Sequence, residues 1–212
     1  EYDGTSWSEV NNLIKARFSH AKLGTTSEAA LAVGGNTTEG GNEDTDVEDW
    51  NGTNWSAGTA ILANAGYGSS FGGYDSGIVT TYTEYYCWNG TNWSFATDIL
   101  KAGGFYNSGG KSVDAGIIFN GFPAACAQEW DGCTWKSIAN PNESAIRNAC
   151  TGESPAAALV AGADPTPAPM GCRVQIWDGT TWSFVNRLSV GRRYQGAAGT
   201  TNDAIMIGGL PS

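Results

Sequence analysis

Apolar and polar residues alternate in short runs along this chain, and the runs are bounded by glycine, asparagine, aspartate and threonine. A period of two marks strands with one buried face, whereas a helix would return apolar residues every three to four positions. No stretch shows the helical spacing. Continuous apolar runs, such as GIVTT at 77–81, GIIFNG at 116–121 and AAALVAG at 156–162, have the length of strands covered on both faces. All are too short to span a bilayer as helices. The pattern predicts an all-β chain.

The strands repeat. EYDGTSWS at 1–8 returns as EDWNGTNWS at 48–56, YCWNGTNWS at 86–94, EWDGCTWKS at 129–137 and IWDGTTWS at 176–183. The second aromatic of each copy is Trp7, Trp55, Trp93, Trp135 and Trp182, at spacings of 48, 38, 42 and 47 residues, the period of propeller blades. Asn-Gly or Asp-Gly between aromatic flanks predicts a hairpin with a two-residue type I′ turn, which needs φ > 0 at both central residues. Between copies lies a second hairpin, clearest in RFSHAKLGTTSEAALAVGG at 17–35 and RRYQGAAGTTNDAIMIGG at 192–209. The expected fold is therefore a single five-bladed β-propeller over 1–212, built of four-stranded antiparallel blades. Its outer hairpins lie near 1–9, 48–57, 85–95, 128–137 and 175–184. The chain opens on an outer hairpin and closes on an inner one, so pairing the two would complete a fifth blade and close the ring. Starting at Glu1 without a signal peptide, the sequence is expected to be a processed form or a segment of something longer.

A strand ending in Gly-Gly, an aromatic before a turn and a following Trp resemble the kelch repeat, the unit of propellers like the central domain of galactose oxidase. The phrase E-Y/W-N/D-G-T-x-W is more similar to the kelch-like arrays of phage and environmental-virus virion proteins. The resemblance spans the whole chain and implies fold and virion or surface attachment; its motifs specify blade structure rather than chemistry. Only Gly34-Gly35 and Gly208-Gly209 keep the doublet in place, and cysteines are inserted.

Composition narrows the chemistry. The 212 residues carry 21 acidic and 11 basic groups, a net charge of −10, which disfavours a phosphate-backbone partner. A single histidine, His20, leaves no set of imidazoles for copper or for acid–base clusters. Asp3-Gly4-Thr5 are contiguous, unlike the spaced Asp box of sialidases, and six arginines are few for that chemistry. No Ser-His-Asp or Cys-His pair assembles. The nine tryptophans all fall inside the repeated phrase and are expected to pack blade against blade.

Candidate sites are few. Asp44, Asp46 and Glu48, in an acidic run with Glu39, Glu43 and Asp49, alternate so that an extended chain would align three carboxylates, a possible Ca²⁺ site with a solvated loop as the plainer reading. No other cofactor is expected. Cys126, Cys133, Cys150 and Cys172 suggest one or two disulfides, with Cys87 apart; reduced, buried thiols are the rival reading. Of the N-x-S/T sequons, those at Asn51, Asn54, Asn89 and Asn92 are already explained by the turns, and Asn36 and Asn142 start two more. Residues that do not repeat sit on the innermost strands and their loops: Arg17, His20, Tyr67, Tyr106, Arg147, Arg192, Arg193 and Tyr194. They could line a channel-mouth pocket for a saccharide or acidic ligand, although Arg17 and Arg192 are equivalent and could instead bind loop carbonyls. The expected function is non-catalytic: a virion or extracellular structural and adhesion module, on a phage tail or fibre, attaching to a host glycan or a protein partner, without nucleic acid or membrane insertion. The alternatives are a secreted carbohydrate-binding lectin with one site per blade and, more remotely, an enzyme acting at the channel mouth.

Overall fold

The structure, a computed structural model, describes residues 1–37, 44–66, 68–81, 84–96, 107–119, 126–143, 148–162 and 170–211. Its strands follow the repeats. The first unit contains β1 (Arg17–Phe18), β2 (Ala21–Leu23), β3 (Ala30–Val33), β4 (Asn36–Thr37), β5 (Val47–Trp50) and β6 (Trp55–Ala57). The second contains β7 (Ser70–Gly72), β8 (Gly77–Thr80), β9 (Tyr85–Trp88) and β10 (Trp93–Phe95). β11 (Asn107–Ser112), β12 (Ala115–Phe119), β13 (Ala127–Trp130) and β14 (Trp135–Ile138) form the third. The fourth is β15 (Ala149–Ser154), β16 (Ala157–Ala161), β17 (Val174–Trp177) and β18 (Trp182–Phe184). Last come β19 (Arg192–Arg193), β20 (Gly196–Gly199), β21 (Ala204–Ile207) and β22 (Leu210–Pro211).

Four antiparallel four-stranded sheets result, in the orders β2-β3-β5-β6, β7-β8-β9-β10, β11-β12-β13-β14 and β15-β16-β17-β18. Each is a propeller blade with its first strand innermost. The fifth unit differs from the expected blade. β20 and β21 form its inner hairpin, and Tyr2 and Trp7 bridge to each other as an outer one. Among the described residues no ladder joins β21 to that N-terminal hairpin.

The second and third strands are the core. Leu31, Val33, Ile78, Val79, Ile117, Ile118, Phe119, Leu159 and Val160 are all buried, consistent with apolar runs covered on both faces. The buried clusters straddle successive blades. Leu23, Leu31 and Val47 meet Tyr86, Trp88 and Trp93; Phe71, Ile78 and Tyr85 meet Trp130 and Trp135; Ile117 and Phe119 meet Trp177 and Trp182. Trp93, Trp135 and Trp182, each following its turn, thus lie on the blade before. Trp93 donates its indole N–H to the Thr59 carbonyl at 2.9 Å, and Trp182 donates to Ala139 O at 3.0 Å. The tryptophan before each turn stays at home. Trp50, Trp88, Trp130 and Trp177 donate to the carbonyls of Ser27, Tyr74, Val113 and Pro155, each in the inner turn of its own blade. The two indoles of each phrase are cross-strand neighbours with centroids 4.9–5.4 Å apart.

The outer turn is longer than a type I′ turn. Trp50 pairs directly with Trp55, which leaves the four residues 51–54 in the loop, and only the glycine has positive φ (Gly52 +88°). The side chain of the first loop residue makes the turn instead. Asn51 Oδ1 accepts the amides of Asn54 (2.8 Å) and Thr53 (3.0 Å), and Asp131 Oδ1 accepts those of Thr134 and Cys133. A side-chain acceptor closes this Asx-type turn, so one left-handed residue suffices rather than two.

The Gly-Gly doublets have a different cause. β1 pairs with β4 and β19 with β22, clasping the start of the first and fifth units to the chain just after the doublet. A Cβ on Gly35 would sit 2.9 Å from Phe18 O, and one on Gly209 would sit 2.8 Å from Arg193 O, both with φ near +90°. Only glycine fits there.

Two tests follow from this packing. Trp135 is 7% exposed between two blades, and Trp135→Ala should destabilise the protein by about 3–5 kcal/mol in denaturant unfolding. Trp7 is 58% exposed, and Trp7→Ala should cost less than about 1 kcal/mol by the same measurement. Secondly, the turn amides hold the carboxyls of Asp3, Asp131 and Asp178 below the ordinary aspartate range. A lowered folded pKa gives stability that is complete above the unfolded value and is lost as pH falls through the folded one. The double substitution Asp131→Asn, Asp178→Asn should therefore keep the pH 7 melting temperature, as Asn51 and Asn89 serve the same turns, and should flatten its acid-side decline.

Candidate functional site

The five innermost strands β2, β7, β11, β15 and β20 surround one central cavity of about 740 Å³. Each unit contributes a short polar segment to its wall: 18–22 from the first, 68–70 from the second, Ser108 from the third, 148–150 from the fourth and 194–197 from the fifth. The wall has a regular frame. Lys22, Ser70, Ser108, Cys150 and Ala197 occupy the same rung of the five inner hairpins, opposite Ala32, Val79, Ile118, Val160 and Met206. At this rung the side chains of Ser70, Ser108 and Cys150 fasten their strands to the strand before. Ser70 Oγ donates to Lys22 O at 2.5 Å, Ser108 Oγ to Ser70 O at 2.5 Å, and the Cys150 thiol to Ser108 O at 2.9 Å. Ser70 Oγ also accepts the Lys22 amide, and Ser108 Oγ accepts that of Ser70. The belt ends at Ala197, whose methyl has no proton to give. Between the fourth and fifth units Thr151 Oγ1 donates to Gly199 O instead.

Two residues at the cavity mouth are held in an uncommon backbone conformation. Ser19 and Tyr194 have φ of +53° and +58°, the only described non-glycine residues with positive φ, and they are equivalent in the repeat. Each follows a clasp strand (β1 or β19) and turns the chain into the inner strand. That turn leaves Phe18 and Tyr194 49% and 53% exposed on the cavity wall. His20 is next in the first unit and Gln195 in the fifth. Loss of hydration, with repulsion from Arg17 and Lys22, holds the His20 imidazole below its usual pKa. Gln195 is buried and donates Nε2–H to Ala161 O at 2.8 Å, while its Oε1 has no hydrogen-bond partner among the described residues.

The cavity thus gathers His20 and Tyr194 from the sequence-derived candidates. Arg17 and Arg192 are elsewhere and serve as clasps: Arg17 Nη1 donates to Gly34 O at 2.8 Å, and Arg192 Nη1 to Gly208 O at 2.6 Å. Arg193 lies on clasp strand β19 and is not part of the cavity wall. Tyr67, Tyr106 and Arg147 lie outside the described residues, as do Glu39 and Glu43. The serines at 69, 70 and 108, with Lys22, Asn148 and Gln195, were not singled out from sequence. Aligning the inner hairpins on one rung would have found the rung residues, but serine in a glycine-rich strand carries no signal by itself.

Asp44, Asp46 and Glu48 do converge, but on cations of the chain. Lys15 Nζ lies 2.5 Å from Asp44 and 3.1 Å from Asp46. Arg17 Nη2 is 2.7 Å from Glu48 Oε1, with both side chains almost fully buried. Glu48 also accepts the amides of Ile14 (2.7 Å) and Lys15 (3.1 Å), where the chain comes in from the outer hairpin. Gln175 holds the equivalent place in the fourth blade and accepts the Asn142 amide at 2.9 Å. These carboxylates are engaged with cations and amides, and so anchor the linker that leads in from the outer hairpin.

The cysteines stand in different surroundings: Cys126 packs with Ile118 and Trp135 between blades, Cys133 is exposed in an outer turn, Cys150 sits on the inner belt, and Cys172 lies in a 3₁₀ turn at 170–172. Burial pushes the Cys150 thiol up to about 11, away from thiolate chemistry. Of the sequons, Asn36 is buried and Asn142 donates to Trp182 O, whereas Asn51 and Asn89 are exposed in their turns.

The buried ion pair gives a test. Removing one charge strands the other, so Glu48→Gln should destabilise the protein by about 3–5 kcal/mol in chemical denaturation. Lys15→Ala, which breaks only half-exposed contacts, should cost less than about 1 kcal/mol.

No protein-family profile matches the chain, and no curated protein matches it in sequence. In three dimensions it is similar to the solved structure of YjhT, with a TM-score of 0.79 at 13% identity, covering 100% of this chain and 83% of that one. Likeness at that identity speaks for architecture alone, and with the blades described above it gives this chain the fold of a β-propeller.

Proposed function

We propose that the protein is a non-catalytic recognition module, a structural and adhesion part of a virion such as a phage tail or fibre, or of a cell surface, which attaches to a glycan through the mouth of its central cavity. The observation that carries the reading is the pairing of exposed aromatic rings, Phe18 and Tyr194, with a cavity walled by hydroxyls and amides from every unit. Saccharides are held this way, with apolar ring faces stacked on aromatics and hydroxyls paired with fixed polar groups. The kelch-like phrase supports the virion setting. A non-catalytic role is supported by the make-up of the wall, whose described residues include one imidazole and no carboxylate, so no acid–base pair is built there.

The ring is proposed to be five-bladed, with the Tyr2–Trp7 hairpin as the outer half of the blade that β20 and β21 begin. In support, the first and fifth units share the same clasp and the same left-handed residue, and five inner strands share one cavity. Trp7 already lines a groove with Ile205, Met206 and Ile207 of β21.

Saturation-transfer NMR with a panel of neutral and acidic monosaccharides tests the attachment reading. Binding should saturate at one site per chain and weaken about tenfold or more in the Phe18→Ala, Tyr194→Ala double variant, given about 1–3 kcal/mol per ring. Several equivalent weak sites would favour the lectin with one site per blade, and no binding by any sugar would overturn glycan attachment.

A further inference from the structure

The central cavity has a charge opposite to that of the chain around it. The protein carries 21 acidic residues and a net charge of −10, yet the described residues of the cavity wall include no aspartate or glutamate. Lys22 supplies the fixed charge of that wall. Other cations of the chain are paired: Lys15 with Asp44 and Asp46, Arg17 with Glu48, and Arg173 with Glu143. Lys22 has no carboxylate within ion-pair distance among the described residues. Its backbone is pinned on both sides by Ser70, at 3.0 Å through its amide and 2.5 Å through its carbonyl, so the side chain starts from a fixed point on the wall. Phe18 beside it in the first unit and Tyr194 in the fifth place half-exposed rings on the wall of the same cavity.

Resting on the glycan reading above, we infer that the cavity selects an acidic sugar, a hexuronate unit whose carboxylate pairs with Lys22 while its ring lies against Tyr194 or Phe18. An unpaired ammonium in a cavity without carboxylates favours an anion over its neutral congener, and a charge-assisted bond to a carboxylate is about twice as strong as a neutral one. The exposed rings of Phe18 and Tyr194 distinguish a sugar acid from a bare carboxylate, which has no ring face to lay on them.

His20 is the sole histidine and stands two residues from Lys22, so its imidazole resonances report occupancy without labelling ambiguity. The full chain is titrated at constant ionic strength with sodium galacturonate, galactose and sodium acetate, and His20 shifts give each Kd. Galacturonate should bind about tenfold or more tightly than either galactose or acetate. Lys22→Met, which leaves both backbone bonds to Ser70 in place, should bring galacturonate down to the affinity of galactose with the melting temperature unchanged. Equal binding of galacturonate and galactose by the wild type overturns the inference and leaves the glycan reading standing, as does a preference that survives Lys22→Met. Acetate binding as tightly as galacturonate reduces the site to a simple anion site and also overturns it. If neither sugar binds, both readings fall.

Discussion

A four-stranded sheet with apolar residues on both faces cannot stand in water alone, and every blade of this protein is such a sheet. In the second, third and fourth blades the answer is the indole after the outer turn, which reaches back onto the preceding blade and fills the space between the two. Trp93, Trp135 and Trp182 each bury against the second strand of a neighbour, and Trp93 and Trp182 anchor there through an indole N–H. An aromatic side chain buries about 150–250 Å², so this contact outweighs any single hydrogen bond in the molecule. It also sets direction, since each blade leans on the one before, and the chain must curve round an axis.

What happens at that axis follows from the same geometry. Close to the centre the inner strands converge, there is no room for indoles, and small residues take over: Ser70, Ser108, Cys150 and Ala197 share one rung. With apolar area scarce, the strands are tied by hydroxyl and thiol donors to main-chain carbonyls. The packing demand that repeats Trp in every blade is relaxed here, which leaves the rung and the loops above it free to differ from unit to unit. That freedom is where Lys22, His20, Tyr194 and Gln195 occur, and the left-handed turns at Ser19 and Tyr194 aim them at the cavity.

The fifth unit shows the constraint by its absence. β21 holds the place that β3, β8, β12 and β16 hold elsewhere, yet Ile205 and Ile207 are exposed where Leu31, Val33 and their counterparts are buried. Tyr2 and Trp7 stack on each other, with centroids 5.0 Å apart, as the other pairs do, but without a blade beneath them they remain half in solvent. An aromatic hairpin is thus a local product of the phrase, whereas burial of that hairpin is a product of the neighbouring sheet.

The strands, their antiparallel order, the partition into repeats and the inter-blade packing of Trp93, Trp135 and Trp182 were legible in the amino-acid sequence, whereas the exposure of Trp7 was not. Each depends on spacing along the chain or on a contact that recurs in every unit, so a repeated letter stands for a repeated environment. The turn type was misread because Asn-Gly fits two turns, and the side-chain acceptor that closes the longer one acts only once the flanking indoles are paired. The partners of the acidic run, Lys15 and Arg17, could not be read from it, because they lie about thirty residues away along the chain. The cavity was the least legible feature. It is assembled from a few residues of each of five units, brought to one axis by the curvature that the indoles impose, and no local pattern records which side chains will face one another across it.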